Sequence, residues 1–112
     1  MTLEELCKKS NLSAGRAEAW IESGLIMPVA GRRREFDLSQ VQRVHLIKEL
    51  QRKGVELAQL AGRDLSFRDE KFVVFDGHEL RACANAETAI AAAARVKRCA
   101  IVDLGAIRRA SA

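Results

Sequence analysis

The first 23 residues carry apolar side chains at helical spacing, in two short stretches. Leu3 and Leu6 share one helical face, which predicts a helix over residues 3–9. After the polar break "SNLS", Ser13 is a suitable N-cap for a second helix over residues 14–23, whose apolar positions recur at i, i+3 and i+4. Two short helices joined by a tight turn predict a helix-turn-helix unit.

The pattern changes at "LIMPVAGRRREFDL", where the helical spacing is lost. Pro28 cannot continue a helix, and Gly31 is a turn residue between two apolar positions. This segment predicts a small β-hairpin with its tip near residues 31–33. Helical spacing resumes over residues 39–53, and "VELAQLA" then predicts one or two further helical turns.

The second half of the chain predicts strands as well as helices. Two apolar-rich runs, "KFVVF" and "HELRAC", flank Asp76 and Gly77, and Asp-Gly is a strong hairpin signal. Asn85 is a suitable N-cap for an alanine-rich helix, "CAIVDL" predicts a third strand, and "GAIRRASA" predicts a short helix or a frayed tail. The expected fold class is α+β, with residues 1–62 as one domain and residues 63–112 as a small ββαβ unit.

This ββαβ unit is close to the lower size limit for independent stability, and its outer strands would leave unpaired edges. Proteins usually pair or cover such edges. We therefore predict that residues 63–112 mediate dimerisation.

Composition and charge narrow the function classes. The 112 residues are 48% hydrophobic and 30% charged, which is typical of a globular protein rather than a disordered tail. The net charge of +4 permits a nucleic-acid partner, and residues 1–63 carry 11 basic against 8 acidic residues. No apolar run approaches the roughly 20 residues of a membrane span, and the acidic N-terminus is unlike a signal peptide. The expected location is cytoplasmic.

Three segments follow a known order: "LEEL" before "LS", then "ESGLIMP", then "RREFDLSQVQRVHLIKELQRKGVELAQL". On these motifs, residues 2–61 resemble the DNA-binding domain of the MerR family of bacterial transcription regulators. The resemblance implies a winged helix-turn-helix, with a recognition helix over residues 14–23 in the major groove and a basic wing over residues 31–35 on the DNA backbone. It also implies a transcriptional regulator that binds double-stranded DNA as a homodimer at a two-fold related site.

The chain departs from the family in its recognition helix. The family usually has an Arg-Tyr pair late in this helix, which contacts the DNA backbone, whereas this chain has Glu18 and Ala19. The candidates that remain on the helix are Ser13, Gly15 and Arg16. Three roles are open for Arg16: reading guanine, holding a phosphate, or standing as a solvated residue of the first turn.

The wing arginines are the main candidates for phosphate contact. Because side chains on a hairpin alternate faces, Arg32, Arg33 and Arg34 cannot all point the same way. Two of them could contact the phosphates of one DNA strand. The alternative interpretation of this segment is a solvated basic turn. Arg43 and Lys53 are secondary candidates, either for phosphate or as solubilising charges. The expected DNA-binding residues are Ser13, Gly15, Arg16, Arg32, Arg33, Arg34, Arg43 and Lys53.

No motif for catalysis is present. His45 and His78 lie far apart in the sequence, no nucleophile has a base beside it, and a glycine-rich phosphate loop is lacking. Cys7, Cys83 and Cys99 lack metal-ligand spacing and predict small buried thiols, with a thiol sensor formed by the last two as the alternative. We expect no enzyme activity, cofactor, metal or small-molecule ligand.

Two other functions fit the same pattern. One is an architectural DNA-binding factor of the excisionase or plasmid-maintenance type. The other is a protein-binding module similar to the chaperone modulators that share this fold and bind a J-domain co-chaperone. Those modulators share "TLEELC"-like and "GLI.P" segments and lack the Arg-Tyr pair.

Overall fold

A computed structural model describes residues 1–29, 35–61, 65, 67, 70–94 and 99–111. Among the described residues, the named elements of the first half are helices, whereas the second half contains both strands and helices. The elements are α1 (Leu3–Ser10), α2 (Ala14–Glu22), α3 (Leu38–Arg52), α4 (Leu57–Leu60), β1 (Phe72–Phe75), β2 (Leu80–Cys83), α5 (Ala86–Ala93), β3 (Ala100–Asp103) and α6 (Leu104–Ser111).

Side-chain caps fix the two short N-terminal helices. The Thr2 hydroxyl accepts a hydrogen bond from the Glu5 backbone N–H at 3.2 Å and begins α1. Asn11 ends α1 in the left-handed conformation, with φ of 52°. Ser13 then accepts from the Arg16 N–H at 3.3 Å and begins α2. The predicted helix-turn-helix is confirmed, with α1 one residue longer and α2 one residue shorter than expected.

Helix α3 lies at the centre of the core. Val41, Val44, Ile47 and Leu50 are each 0% exposed along its inner face, and these are the positions that the helical spacing selects. Helices α1, α4 and α6 and strand β3 all contact α3. The elements on either side of the predicted domain boundary therefore share one hydrophobic core.

The three strands form an antiparallel sheet in the order β2-β1-β3. Alternation along β1 gives the sheet two different faces. Val73 and Phe75 join the main core, whereas Val74 packs with Ala89 of α5 on the opposite face. The predicted Asp-Gly turn joins β1 to β2, and Gly77 has φ of 98°, which a residue with a Cβ rarely adopts.

Residues 105–111 lie in helix α6, in agreement with the helical alternative for this segment. Leu104 and Ile107 are buried on the side that faces the main core. The mixed α and β architecture with a three-stranded sheet is thus confirmed. The boundary at residue 62 and the dimerising role of the second half stay predictions.

His45 lies half-buried on α3 beside the end of α1. Its Nε2 atom is buried and has no hydrogen-bond partner among the described residues. Burial lowers the pKa of His45 below its ordinary value of 6.5, and the positive charge of Lys48 lowers the pKa further, while a hydrogen bond with the Lys9 backbone acts in the opposite direction. The folded protein therefore favours the neutral imidazole.

This lowered pKa predicts that acid weakens the fold. As the pH falls below about 6.5, the unfolded chain takes up a proton at His45 before the folded chain does. The free energy of unfolding should then fall with a slope of at most about 1.4 kcal/mol per pH unit from this residue. Urea unfolding of the wild type between pH 7.5 and pH 5 measures the slope.

His45→Gln should reduce this acid-dependent loss, whereas His78→Gln should keep it. His78 is the matched control because it is exposed in the turn between β1 and β2. An equal slope in wild type and His45→Gln would contradict the assignment.

Candidate nucleic-acid interface

The exposed face of α2 begins at its N-terminus. Ser13, Gly15 and Arg16 are all exposed there, while Ala17 and Trp20 are buried in the core beneath them. The buried positions fix the rotation of the helix. The three residues that the sequence selected on this helix therefore lie together on one solvent-facing turn.

Arg16 is held by two contacts. Its guanidinium carbon lies 5.3 Å from the centroid of the Trp20 ring, within the range of a cation–π interaction. Its Nη2 atom donates to Gln51 Oε1 of α3 at 3.4 Å. These contacts restrain the side chain and leave it exposed, which suits a residue that contacts a large anionic partner.

Gly15 is not required by the surrounding packing. A Cβ atom built at this position would have no described atom within 4 Å, and Gly15 lies in the first turn of a regular helix. A helical glycine costs about 1 kcal/mol relative to alanine. Because the fold gains nothing from this glycine, close approach of a partner offers a reason for it.

Beyond its first turn, the exposed face of α2 is acidic rather than basic. Glu18 and Glu22 are exposed, and Ala19 lies beside them where the family usually has the tyrosine of its Arg-Tyr pair. A carboxylate repels phosphate at short distance. Any backbone contact by this helix must therefore come from its first turn.

Sequence reasoning missed Lys48 on α3. Its Nζ atom donates to the backbone carbonyls of Ser10 at 3.0 Å and of Asn11 at 2.5 Å, so that it neutralises the C-terminal end of α1. Burial lowers the pKa of Lys48, and the nearby Arg16 charge lowers it further. Only the three-dimensional proximity of α1, α2 and α3 brings these cations together, and no spacing in the sequence signals it.

The residues at the two ends of the predicted wing lie side by side. The Val29 N–H donates to the Glu35 carbonyl at 2.7 Å, and Glu35 forms an isolated antiparallel bridge with Thr2. Phe36, the next residue, is buried in the core. Arg32, Arg33 and Arg34 lie outside the described residues, so that their predicted phosphate contacts stay a prediction.

Arg43 was expected to be exposed, but the structure places it in the interior. It is only 4% exposed, and its Nε donates a hydrogen bond to the Leu25 carbonyl. Leu25 lies just after α2, so Arg43 ties α3 to the chain that leaves the helix-turn-helix. This buried geometry gives Arg43 a role in folding, and the interface proposed below leaves it out.

Lys53 is exposed at the C-terminal cap of α3. It borders a surface groove together with Phe75 and Cys99 of the second half. Gln51, two residues earlier, is the partner of Arg16. The exposed end of α3 therefore connects the first turn of α2 with the second half of the chain.

The described residues contain no group of three His, Cys, Asp or Glu side chains that would hold a metal ion. Cys83 is buried, Cys99 is exposed, and both are free thiols. Burial raises the pKa of the half-buried Cys7 thiol, which disfavours the reactive thiolate. None of the described helices is long and apolar enough to cross a bilayer.

The chain resembles a family of known proteins. The model of the family described as "MerR HTH family regulatory protein" matches residues 1–63, which is more than half of the chain. No curated protein and no solved structure matches.

The inward position of Arg43 predicts a stability defect on substitution. Arg43→Met would leave the Leu25 carbonyl without its donor, and an unsatisfied buried polar group costs about 1–3 kcal/mol. Urea unfolding should show a loss of this size. Arg52→Met is the matched control on the same helix, because the exposed Arg52–Glu49 pair, 3.1 Å apart, should contribute less than about 1 kcal/mol. Equal stability of the two variants would contradict the assignment.

Proposed function

Because the chain belongs to the MerR HTH family of DNA-binding regulatory proteins, we propose that it controls transcription as a homodimer with the first turn of α2 in the major groove. The observation that carries this proposal is the exposed turn formed by Ser13, Gly15 and Arg16. It combines an open surface, a restrained cation and the N-terminus of a helix.

Arg16 would make the main contact of this turn. An arginine can bind guanine O6 and N7 with two hydrogen bonds, or a phosphate with the same planar fork. In the free protein its Nη2 bond to Gln51 is long, at 3.4 Å, and is exposed to water. This bond is easily exchanged for a contact with the duplex.

Gly15 would allow close approach of the duplex. Each methyl group at a helix surface moves a facing molecule away, and the open space at Gly15 leaves that room for a sugar or a phosphate. The same reasoning explains why the chain keeps a glycine that weakens the helix.

The predicted wing would supply most of the contacts with the DNA phosphates. The acidic residues Glu18 and Glu22 disfavour phosphate contacts along α2 beyond its first turn, so the cations that contact phosphate would lie elsewhere in the chain. Arg32, Arg33 and Arg34 lie in the segment that the family uses for this purpose, between flanks that are hydrogen-bonded to each other. Phosphate contacts from this segment would position α2 without reading sequence.

The acidic surface of α2 also favours a second candidate function. Exposed Glu18 and Glu22 suit a basic protein partner better than a phosphate backbone. This observation agrees with the protein-binding role expected from the similarity to chaperone modulators. A gel shift with random duplex DNA at low salt separates the two functions, because complete absence of a shift would favour the protein-binding module.

Charge removal in the wing gives a direct test. Arg32→Ala combined with Arg34→Ala should weaken duplex binding at least roughly tenfold and reduce the slope of log affinity against log salt by about two. Fluorescence anisotropy with a fixed duplex at several salt concentrations measures both quantities. Arg109→Ala is the control, since it removes an exposed positive charge from α6. Unchanged binding in the double variant would exclude the wing from the interface.

Gly15→Ala should separate stability from binding. The alanine should stabilise the fold by about 0.4–1 kcal/mol, because its Cβ meets open space in a regular helix. The same methyl group should weaken DNA binding, since it occupies the surface proposed for the duplex. Thermal unfolding and anisotropy on one preparation measure the two effects. A gain in stability with full DNA affinity would argue against close approach at this turn.

A further inference from the structure

Among the described residues, no strand pairs with the outer edge of β2. The Asp76 N–H donates to the Glu79 carbonyl at 3.2 Å, which shows that Glu79 directs its backbone groups toward β1. The direction of the backbone N–H and C=O groups alternates along an antiparallel strand. The backbone groups of Arg81 and Cys83 therefore also point toward β1, and those of Leu80 and Ala82 point away from the sheet. Arg81 and Ala82 are exposed.

The opposite edge of the sheet, formed by β3, packs against a helix of the core. Strand β3 contacts the central helix α3, whereas β2 contacts β1 and α5. An open strand with unpaired backbone groups is a template for another strand, and proteins usually block it or pair it. Of the two edges, β2 is therefore the one available to a partner.

We propose that β2 pairs antiparallel with β2 of a second copy of this chain, with Leu80 opposite the partner's Leu80. This inference rests on the homodimer of the proposed function and names the surface that forms it. The two sheets would join into one six-stranded sheet, with a two-fold axis perpendicular to it at the Leu80 pair.

Charge complementarity selects this register. Only the outward-facing residues of β2 can bond to the partner strand, which leaves three self-pairings. With Leu80 opposite the partner's Leu80, Glu79 lies opposite the partner's Arg81, and the symmetry repeats this pair. With Leu80 opposite the partner's Ala82, two arginines face each other, and like charges at this distance destabilise the pairing.

The third register is weaker for a different reason. With Ala82 opposite the partner's Ala82, Arg81 lies opposite the partner's Cys83, and neither ion pair forms. In the free chain the Arg81 and Glu79 side chains are 3.9 Å apart and both are largely exposed, at 54% and 71%. They are therefore free to turn outward to a partner of opposite charge at little cost.

Apolar contact supports the same pairing. Leu80 is half-buried on the face of the sheet that joins the main core, opposite Phe75 of β1. Placing two Leu80 side chains together at the axis extends that apolar face across the junction. The exposed Ala82 offers no bulk against the approach of the second strand.

Reciprocal charge reversal tests the register. Sedimentation velocity without DNA should find the wild type as a dimer. Arg81→Glu and Glu79→Arg should each raise the dimer dissociation constant roughly tenfold or more, because two attractive pairs become repulsive. An equimolar mixture of the two variants should form a heterodimer with the affinity restored, since every cross-strand pair is then of opposite charge. The double exchange in one chain should also restore the dimer.

Arg109→Glu is the matched control. Arg109 is exposed and lies 4.0 Å from Asp103, which resembles the Arg81–Glu79 pair in geometry and charge but lies outside β2. This variant should stay dimeric. Circular dichroism on all variants verifies folding, and the double exchange, which keeps the composition of the wild type, shows that a loss of dimer comes from charge placement.

Three results would overturn the interface: a monomeric wild type, single variants as dimeric as the wild type, or a mixture that stays monomeric. DNA binding is measured separately with a random duplex at low salt. A dimer that responds as described and gives no shift would reject the DNA-binding function alone. A shift without the charge dependence would reject the β2 interface alone.

Discussion

The burial of one face of α3 is the constraint on which the rest of the structure depends. Val41, Val44, Ile47 and Leu50 have no exposed area, and each apolar side chain removed from water contributes about 1.5–3 kcal/mol. Both the helix-turn-helix and the C-terminal elements pack against this one helix. A chain of 112 residues can thereby form one substantial core from parts that would each be small.

The polar residues of α3 hold the surrounding turns in place. Arg43 donates to the Leu25 carbonyl, Gln40 accepts from the Met27 N–H at 3.0 Å, and Lys48 donates to the end of α1. Each contact satisfies a backbone group that no helix or sheet provides for. At the surface, the Gln51 side chain of the same helix accepts a hydrogen bond from Arg16. The orientation of the proposed DNA-binding turn is therefore coupled to the core through a single helix.

Sequence patterns predicted the elements because their signals are local. Capping residues such as Ser13 and Asn85, the helical spacing of α3 and the Asp-Gly turn each act within a few residues, and all appear in the structure. Contacts between distant residues carry no such signal. The burial of Arg43 depends on a carbonyl 18 residues away, and the position of Lys48 depends on where α1 ends. The charge of Arg43 led us to expect it at the surface, and Lys48 was not among the predicted residues, although each place needed a donor.

In the candidate site, too, the features that could be predicted from the sequence are the local ones. Ser13, Gly15 and Arg16 lie close together in sequence, so the sequence was enough to bring them together on one turn. The cation–π contact of Arg16 with Trp20 is also local, because the two residues are four apart on one helix. The bond to Gln51 joins residues 35 apart, and no spacing in the sequence predicts it.

The distribution of charge connects the proposed interface with the proposed dimer. On the exposed face of α2, Arg16 is accompanied by Glu18 and Glu22, so one copy of this helix offers little net attraction to a duplex. A homodimer doubles the number of basic turns and wings on one DNA molecule, and linking two weak contacts raises affinity well above that of either. Pairing through β2 would place the junction in the C-terminal half, away from the residues proposed to bind DNA. The acidic residues on the exposed face of α2 are thus compatible with the proposed DNA binding, provided that the second half of the chain joins two copies.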